Sequence, residues 1–365
     1  MSRRIHLSAA RESPAPGPLA RLIAPARRAS VVAAVAVACA AFAPLGPASG
    51  TQLLAQETHL LVISGLSGDP RFESEFLDWG TRMVEAAQNA GVRPENITFL
   101  AEDPSLAPGI DGESRREDVE AAIGSIAQRA APEDRVMVLL IGHGSGSGED
   151  SRVSLPGPSL RASEYDELLD RLAPRTVALV NVASASGDFV PVLAAEGRVL
   201  VTATRSARQR NAAIFGGFFV EAFAGEGADL DRDGRVSVLE AFEYARQETA
   251  RYYGDRGLIA SEQPLIEDRT TGSGSDAPTQ DDDVGLLASR FFLESTVPGD
   301  IAGDAEGSAR LRELYARQDQ LDQEIARLGQ REAELEPEAY EAALQELLVE
   351  LARVSSEIRD IEDEP

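Results

Sequence analysis

The chain of 365 residues contains no lysine: its 35 basic residues are all arginine, set against 61 Asp and Glu, for a net charge of −26. Residues 1–56 hold six of those arginines and a single acid, Glu12, which leaves the remaining chain at −31. So acidic a body repels phosphate backbones and anionic lipid surfaces, so nucleic acid is excluded as a partner and cations are favoured. Cysteine is almost as scarce. Cys39 is the only one, so no disulfide can form within the chain. A membrane-spanning run is also missing, because the longest apolar stretch, residues 31–45, falls short of the ~20 residues a spanning helix needs. What remains, 43% apolar and 26% charged residues, is the composition of an ordinary globular protein.

The apolar stretch has its own meaning. Arg21, Arg27 and Arg28 precede it, and small residues around Ala48, Ser49 and Gly50 follow it, the order of an export signal. Residues 1–56 are therefore expected to direct export to the periplasm or the exterior, with an uncleaved anchor as the alternative. Cys39 lies inside this segment, so cleavage would leave the mature protein without any thiol.

From Thr58 the pattern alternates. Residues 59–63, 97–100, 135–141, 176–182 and 198–203 are short apolar runs that read as buried strands. Helical spacing separates them: Phe76, Trp79, Met83, Ala86 and Ala90 in one stretch, Val119, Ile123 and Ile126 in the next. Ser114 with Glu117, and Ser163 with Asp166, have the spacing of capping boxes. Near-continuous apolar strands between amphipathic helices predict an α/β fold with a mostly parallel sheet covered on both faces, over residues 57–300. Residues 269–284 read as a flexible acidic, Gly/Ser-rich excursion, and 286–293 as a strand or short helix.

Residues 301–365 change period. Leu314, Leu321, Leu328 and Leu335 recur every seven residues. Pro337 interrupts the run, and Leu344, Leu351 and Ile358 resume it beside Leu347, Val354 and Ile361. Two heptad segments joined at a proline predict a helical hairpin or kinked coiled coil, either closing on itself or mediating self-association.

Residues 229–240 carry the most specific motif. Asp229, Asp231, Asp233, Gly234 and Glu240 satisfy D-x-[DN]-x-[DN]-G-x₅-E at every fixed position, with helical patterns on both sides. Carboxylates at alternating positions converge on one hard cation, Gly234 permits the turn, the Arg235 carbonyl adds an oxygen, and Glu240 clamps from the following helix. The motif predicts an EF-hand-type site for Ca²⁺. The alternative is an acidic turn that caps the helix beginning near Ser237.

A second constellation lies at two strand ends. One strand runs into Gly142-His143-Gly144-Ser145-Gly146, another into Ala183-Ser184-Ala185-Ser186-Gly187. Neighbouring parallel strands would bring His143 and Ser184 to the carboxyl edge of the sheet, where open α/β sheets bind ligands. Amides around Gly144 could then face an oxyanion. The alternative is a pair of tight glycine turns with an incidental histidine. The nearest acids in sequence, Glu149 and Asp150, lie beyond a glycine-rich loop.

These two segments, 140–146 and 180–187, resemble the catalytic signature of the legumain-like and caspase-like cysteine peptidases, as do their order along the chain, the α/β texture and the following strand end Val201-Thr202-Ala203-Thr204. The resemblance spans about residues 58–255 and implies that clan's fold. It also places Ser184 where the family has its cysteine nucleophile, and Val182 where it has an acidic residue that helps to line the substrate pocket. A hydroxyl is far harder to ionise than a thiol and needs an oriented base. Two expectations follow. One is an exported, calcium-binding protein of this fold without peptidase chemistry, acting as a binding module or scaffold for a protein or peptide partner. The other is a hydrolase that uses Ser184 with His143.

Overall fold

Alternation of side chains along buried strands requires a cover on each face. In the computed structural model of the protein, helices supply both covers. The structure describes residues 56–172, 176–225, 227–232, 234–278, 284–294 and 337–362, together with positions 310, 314, 317, 318, 321, 324, 325 and 328. The expected export segment and Asp233 lie outside the described residues.

The elements run β1 (Thr58–Ser64), α1 (Pro70–Asn89), β2 (Ile97–Ala101), β3 (Gly112–Glu113), α2 (Arg116–Arg129), β4 (Arg135–Ile141), β5 (Gly144–Ser145) and β6 (Arg152–Val153). They continue with α3 (Ala162–Leu169), β7 (Thr176–Asn181), α4 (Val190–Leu193), β8 (Arg198–Thr202), α5 (Phe215–Ala224), α6 (Val238–Asp255), β9 (Leu265–Glu267) and α7 (Pro337–Glu362). Seven strands form one sheet in the order β3-β2-β1-β4-β7-β8-β9, parallel throughout except for β9, which runs antiparallel to β8. Strands β5 and β6 form a separate antiparallel pair. The protein thus has a mixed α/β fold with a mostly parallel sheet flanked by helices.

Each of the five long strands, β1, β2, β4, β7 and β8, divides its side chains between two cores. Leu60, Val62, Met137, Leu139 and Val180 face α1, α5 and α6. Leu61, Ile63, Val138, Leu140 and Leu179 face α2, α3 and α4. Burial on both sides is what makes these strands read as unbroken apolar runs. Strand order reverses between β1 and β4: β2 and β3 lie beyond β1 on one side, β7 and β8 beyond β4 on the other. That is the point at which such sheets open a crevice.

Two expected caps take other roles. Ser114 donates its hydroxyl to the Ser64 carbonyl (2.7 Å), tying β3 to β1, and α2 starts one residue later from Arg115 without a side-chain cap. At α3 the reciprocal acid is Glu164, which accepts from the Arg161 amide (2.8 Å), while Asp166 pairs with the buried Arg198. The 269–284 stretch is partly anchored: the Glu267 carboxylate accepts from the Thr271 and Gly274 amides, and Ser275 bridges to Ile266.

The tail forms a helical hairpin. Its described residues between 310 and 328 are helical, and Leu314 and Leu321 pack on Val354 and Ile358 of α7. Arg310 pairs with Glu357 (2.6 Å) and Arg317 with Glu350 (2.8 Å). Seven residues forward on one helix meet seven residues back on the other, which defines an antiparallel pair. Pro337 is the first described residue of α7.

Candidate functional site

β4 and β7 are hydrogen-bonded neighbours, with Leu140 opposite Asn181. Their carboxyl ends therefore bring the His143 and Ser184 segments together. Beyond β4 the chain turns through Gly142 at φ 152, and the β5–β6 hairpin returns so that the Ser154 amide donates to the His143 carbonyl (2.8 Å). Ser154 in turn accepts from the Leu66 amide (2.8 Å), which joins the β1–α1 loop to the same layer.

The His143 ring lies against two phenylalanines of α1, edge-on to Phe72 at 4.6 Å and Phe76 at 5.2 Å between centroids. Its Nε2 is 3.2 Å from the Ser67 carbonyl. A carbonyl only accepts, so Nε2 carries the proton, and in the neutral ring Nδ1 holds the lone pair. Ser67 is itself held: both its amide and its hydroxyl donate to the Glu102 carboxylate at the end of β2. Neither Glu149 nor Asp150 bonds the ring; Asp150 pairs with Arg161 instead (3.6 Å). The imidazole is thus oriented by a backbone carbonyl rather than by a carboxylate.

Ser184 is 2% exposed, and its hydroxyl oxygen accepts from the Gly144 amide at 3.2 Å. A Cβ on Gly144 would overlap the Ser184 carbonyl oxygen, so this close approach requires glycine. No hydrogen bond joins Ser184 to His143. The turn that carries Ser184 is held by several contacts. Ala185 adopts the left-handed conformation (φ 54) and donates its amide to the Gln209 carbonyl (2.7 Å), while the Ser186 and Thr204 hydroxyls pair at 3.2 Å. A residue with a Cβ keeps that conformation only where its surroundings impose it. Val182 is buried at 1% in the core, against Gly216 of α5.

The acidic loop lies between α5 and α6. Carboxylate oxygens of Asp229, Asp231 and Glu240 lie within 4.8 Å of one another. Oxygens on a common calcium ion at about 2.4 Å can be at most about 4.8 Å apart, so one ion could touch all three. The donors are all hard oxygens, without sulfur or imidazole, and this suits calcium better than a transition metal. Gly234 has φ 88, and its amide donates to Asp229 (3.0 Å), folding the loop back on its first carboxylate. Glu240 also serves the backbone. It accepts from the Leu230 amide (2.9 Å) and from the Ser237 amide (2.9 Å), and Ser237 caps α6 in return. The capping role and the expected cation-site role thus fall on the same carboxylate. The Arg235 side chain is buried, with its guanidinium 3.8 Å over the Phe292 ring.

Sequence reasoning missed Ser67, Glu102 and Phe72, and it placed Phe76 on the buried stripe of α1 without its contact to His143. The Ser67 contact is made by a main-chain carbonyl, which no residue type announces. Phe72 lies one helical turn before Phe76 and could have been found by extending the apolar stripe backwards.

No protein-family model and no curated protein matches the chain. Among solved structures, it is similar to a protein from Geobacter sulfurreducens known from its crystal structure, at 14% identity and a TM-score of 0.40, over 66% of this chain and 99% of that one.

Proposed function

We propose that this is an exported calcium-binding protein whose legumain/caspase-like sheet edge acts as a binding module for a peptide or protein rather than as a peptidase. The observation that carries the calcium reading is the convergence of Asp229, Asp231 and Glu240 within 4.8 Å in a loop closed by Gly234. Asp233 would add a fourth carboxylate and Arg235 a carbonyl. When bound, calcium supplies charge and cross-linking: it gathers side chains that otherwise repel one another. Isolated exported loops bind at about 10⁻⁴–10⁻³ M, so the role is structural rather than sensory. At about 5 mM calcium such a site stabilises by about 1–2 kcal/mol, a rise in Tm of several degrees. Thermal unfolding with and without calcium tests this. The rise should vanish in Asp231→Ala; an unchanged rise in that variant would remove the assignment.

The binding role is supported by the burial of Ser184 and its bond to the Gly144 amide. The hydrolase reading keeps one observation in its favour, the Nδ1 lone pair that the Ser67 contact leaves on His143. A serine-directed activity probe, with Ser184→Ala as control, separates the two. Labelling that disappears in Ser184→Ala would favour hydrolysis.

A further inference from the structure

An isolated calcium loop needs something to hold it in shape, and here a segment of ordinary chain does so. Ser237, near the end of the loop, pairs antiparallel with Phe292, and the next amide, Val238, donates to the Phe291 carbonyl (2.9 Å). Arg235, whose carbonyl is the expected main-chain ligand, lies with its guanidinium over the Phe292 ring, and both residues are buried. Ser237 passes the constraint on through its reciprocal bonds with Glu240, and Glu240 through the Leu230 amide. The strap is fixed to the body at both ends. Asp268 accepts from the amides of Gly285, Leu287 and Ala288, and the Thr58 hydroxyl donates to the Glu294 carbonyl (2.8 Å). Gly285 lies against Leu239 of α6, where a Cβ would press on the leucine side chain.

From this arrangement we infer that residues 284–294 brace the calcium loop in place of a second loop, and that Phe292 is the positioning residue that sets calcium affinity. The inference rests on the calcium reading of residues 229–240. Its physical basis is preorganisation. With Ser237 paired and the Arg235 side chain stacked, two points of the loop are already placed before an ion arrives, so less conformational freedom is lost on binding. Stacking of a guanidinium on an aromatic face gives the contact direction as well as strength. Linkage makes the effect reciprocal: whatever factor the docked strap adds to calcium affinity, calcium adds to the docking of the strap.

Two measurements on the full chain test it. Calcium titration by calorimetry should show affinity about tenfold weaker in Phe292→Leu than in the unmodified protein, with Phe292→Trp restoring it through its π face. A purely structural role for Phe292 would lower the calcium-free Tm of the leucine variant and leave its affinity unchanged. Hydrogen exchange on the unmodified protein needs no variant to fold: amides at 288–294 should exchange more slowly with calcium present. Absence of any calcium binding by the unmodified protein would remove the calcium reading itself. Binding that is equal in Phe292→Leu, or calcium without effect on exchange in the strap, would overturn the bracing role alone.

Discussion

At His143 the tautomer decides what the ring can do. The Ser67 carbonyl claims the Nε2 proton, so the unprotonated nitrogen is Nδ1, and the ring is held by Phe72 and Phe76. Across the β4–β7 edge, Ser184 receives the Gly144 amide. A hydroxyl gains little from this, because its ionisation is out of reach near neutral pH. A thiol would gain more: the Gly144 hydrogen-bond donor favours the thiolate, and an imidazole reaching it across the paired strand ends would favour it further. Ser184→Cys should therefore carry a thiol with its pKa below the usual ~8.5. Burial of Ser184 limits alkylating reagents, so thiolate absorbance followed against pH is the appropriate measurement. In Ser184→Cys/His143→Ala the value should move back up. A pKa that does not depend on His143 would show that the two strand ends do not act as a pair.

Between elements, helix ends and crossings are joined by arginine in the absence of lysine. Arg116 on α2 forks onto Glu164 of α3 (2.8 and 3.0 Å), and Arg161, at the start of α3, reaches the same carboxylate (3.2 Å). The Arg116 hydrogen bonds, helped by Arg161 and opposed by partial burial, hold Glu164 well below the ordinary carboxylate range. A carboxylate lowered in the folded state stabilises the protein above its unfolded pKa and loses that contribution as pH falls towards the folded value. Stability should therefore decline below about pH 4.3, and Glu164→Gln should flatten that part of the curve. Partial exposure keeps the loss at neutral pH to at most about 1 kcal/mol, and urea unfolding at pH 7 and pH 3.5 would measure both effects. An equal acid slope in the variant would assign the pH dependence to other groups. The same elements show what the sequence could convey. The five long strands were legible because two-sided burial makes them largely apolar, whereas the β4–β7 adjacency was only a condition in the sequence and comes from the sheet order. The short strands β3, β5, β6 and β9 were not, since two or three residues carry no periodicity. Ser114 and Asp166 matched local capping patterns yet were taken by tertiary partners, Ser64 and Arg198. At the acidic loop the residue types and spacing were legible, but the strap was not: Phe292 lies 52 residues beyond Glu240, and only the fold brings it to Arg235.

Across the whole molecule, the acidic excess sets a cost that the tail helps to localise. Charges of one sign repel in a compact body, and the hairpin absorbs some of its own acids by pairing Arg310 with Glu357 and Arg317 with Glu350. Its apolar seam, Leu314 and Leu321 against Val354 and Ile358, shares no residue with either core of the sheet. A hairpin with a seam of its own does not need the body to bury it, and the body has both faces of its sheet covered by α1 to α6. Removal of residues 305–365 should therefore leave a cooperatively unfolding α/β body, with the proposed calcium-dependent rise in Tm intact because the described contacts between the loop and its strap involve no residue beyond 294. Differential scanning calorimetry and static light scattering on the full and shortened chains provide the test. Aggregation of the shortened chain with exposed core would make the helices a cover for the body instead. The outward side of α7 still exposes Leu348 and Val349. A mass that falls from oligomer to monomer on truncation would assign self-association to the tail, and equal monomeric masses would withdraw it.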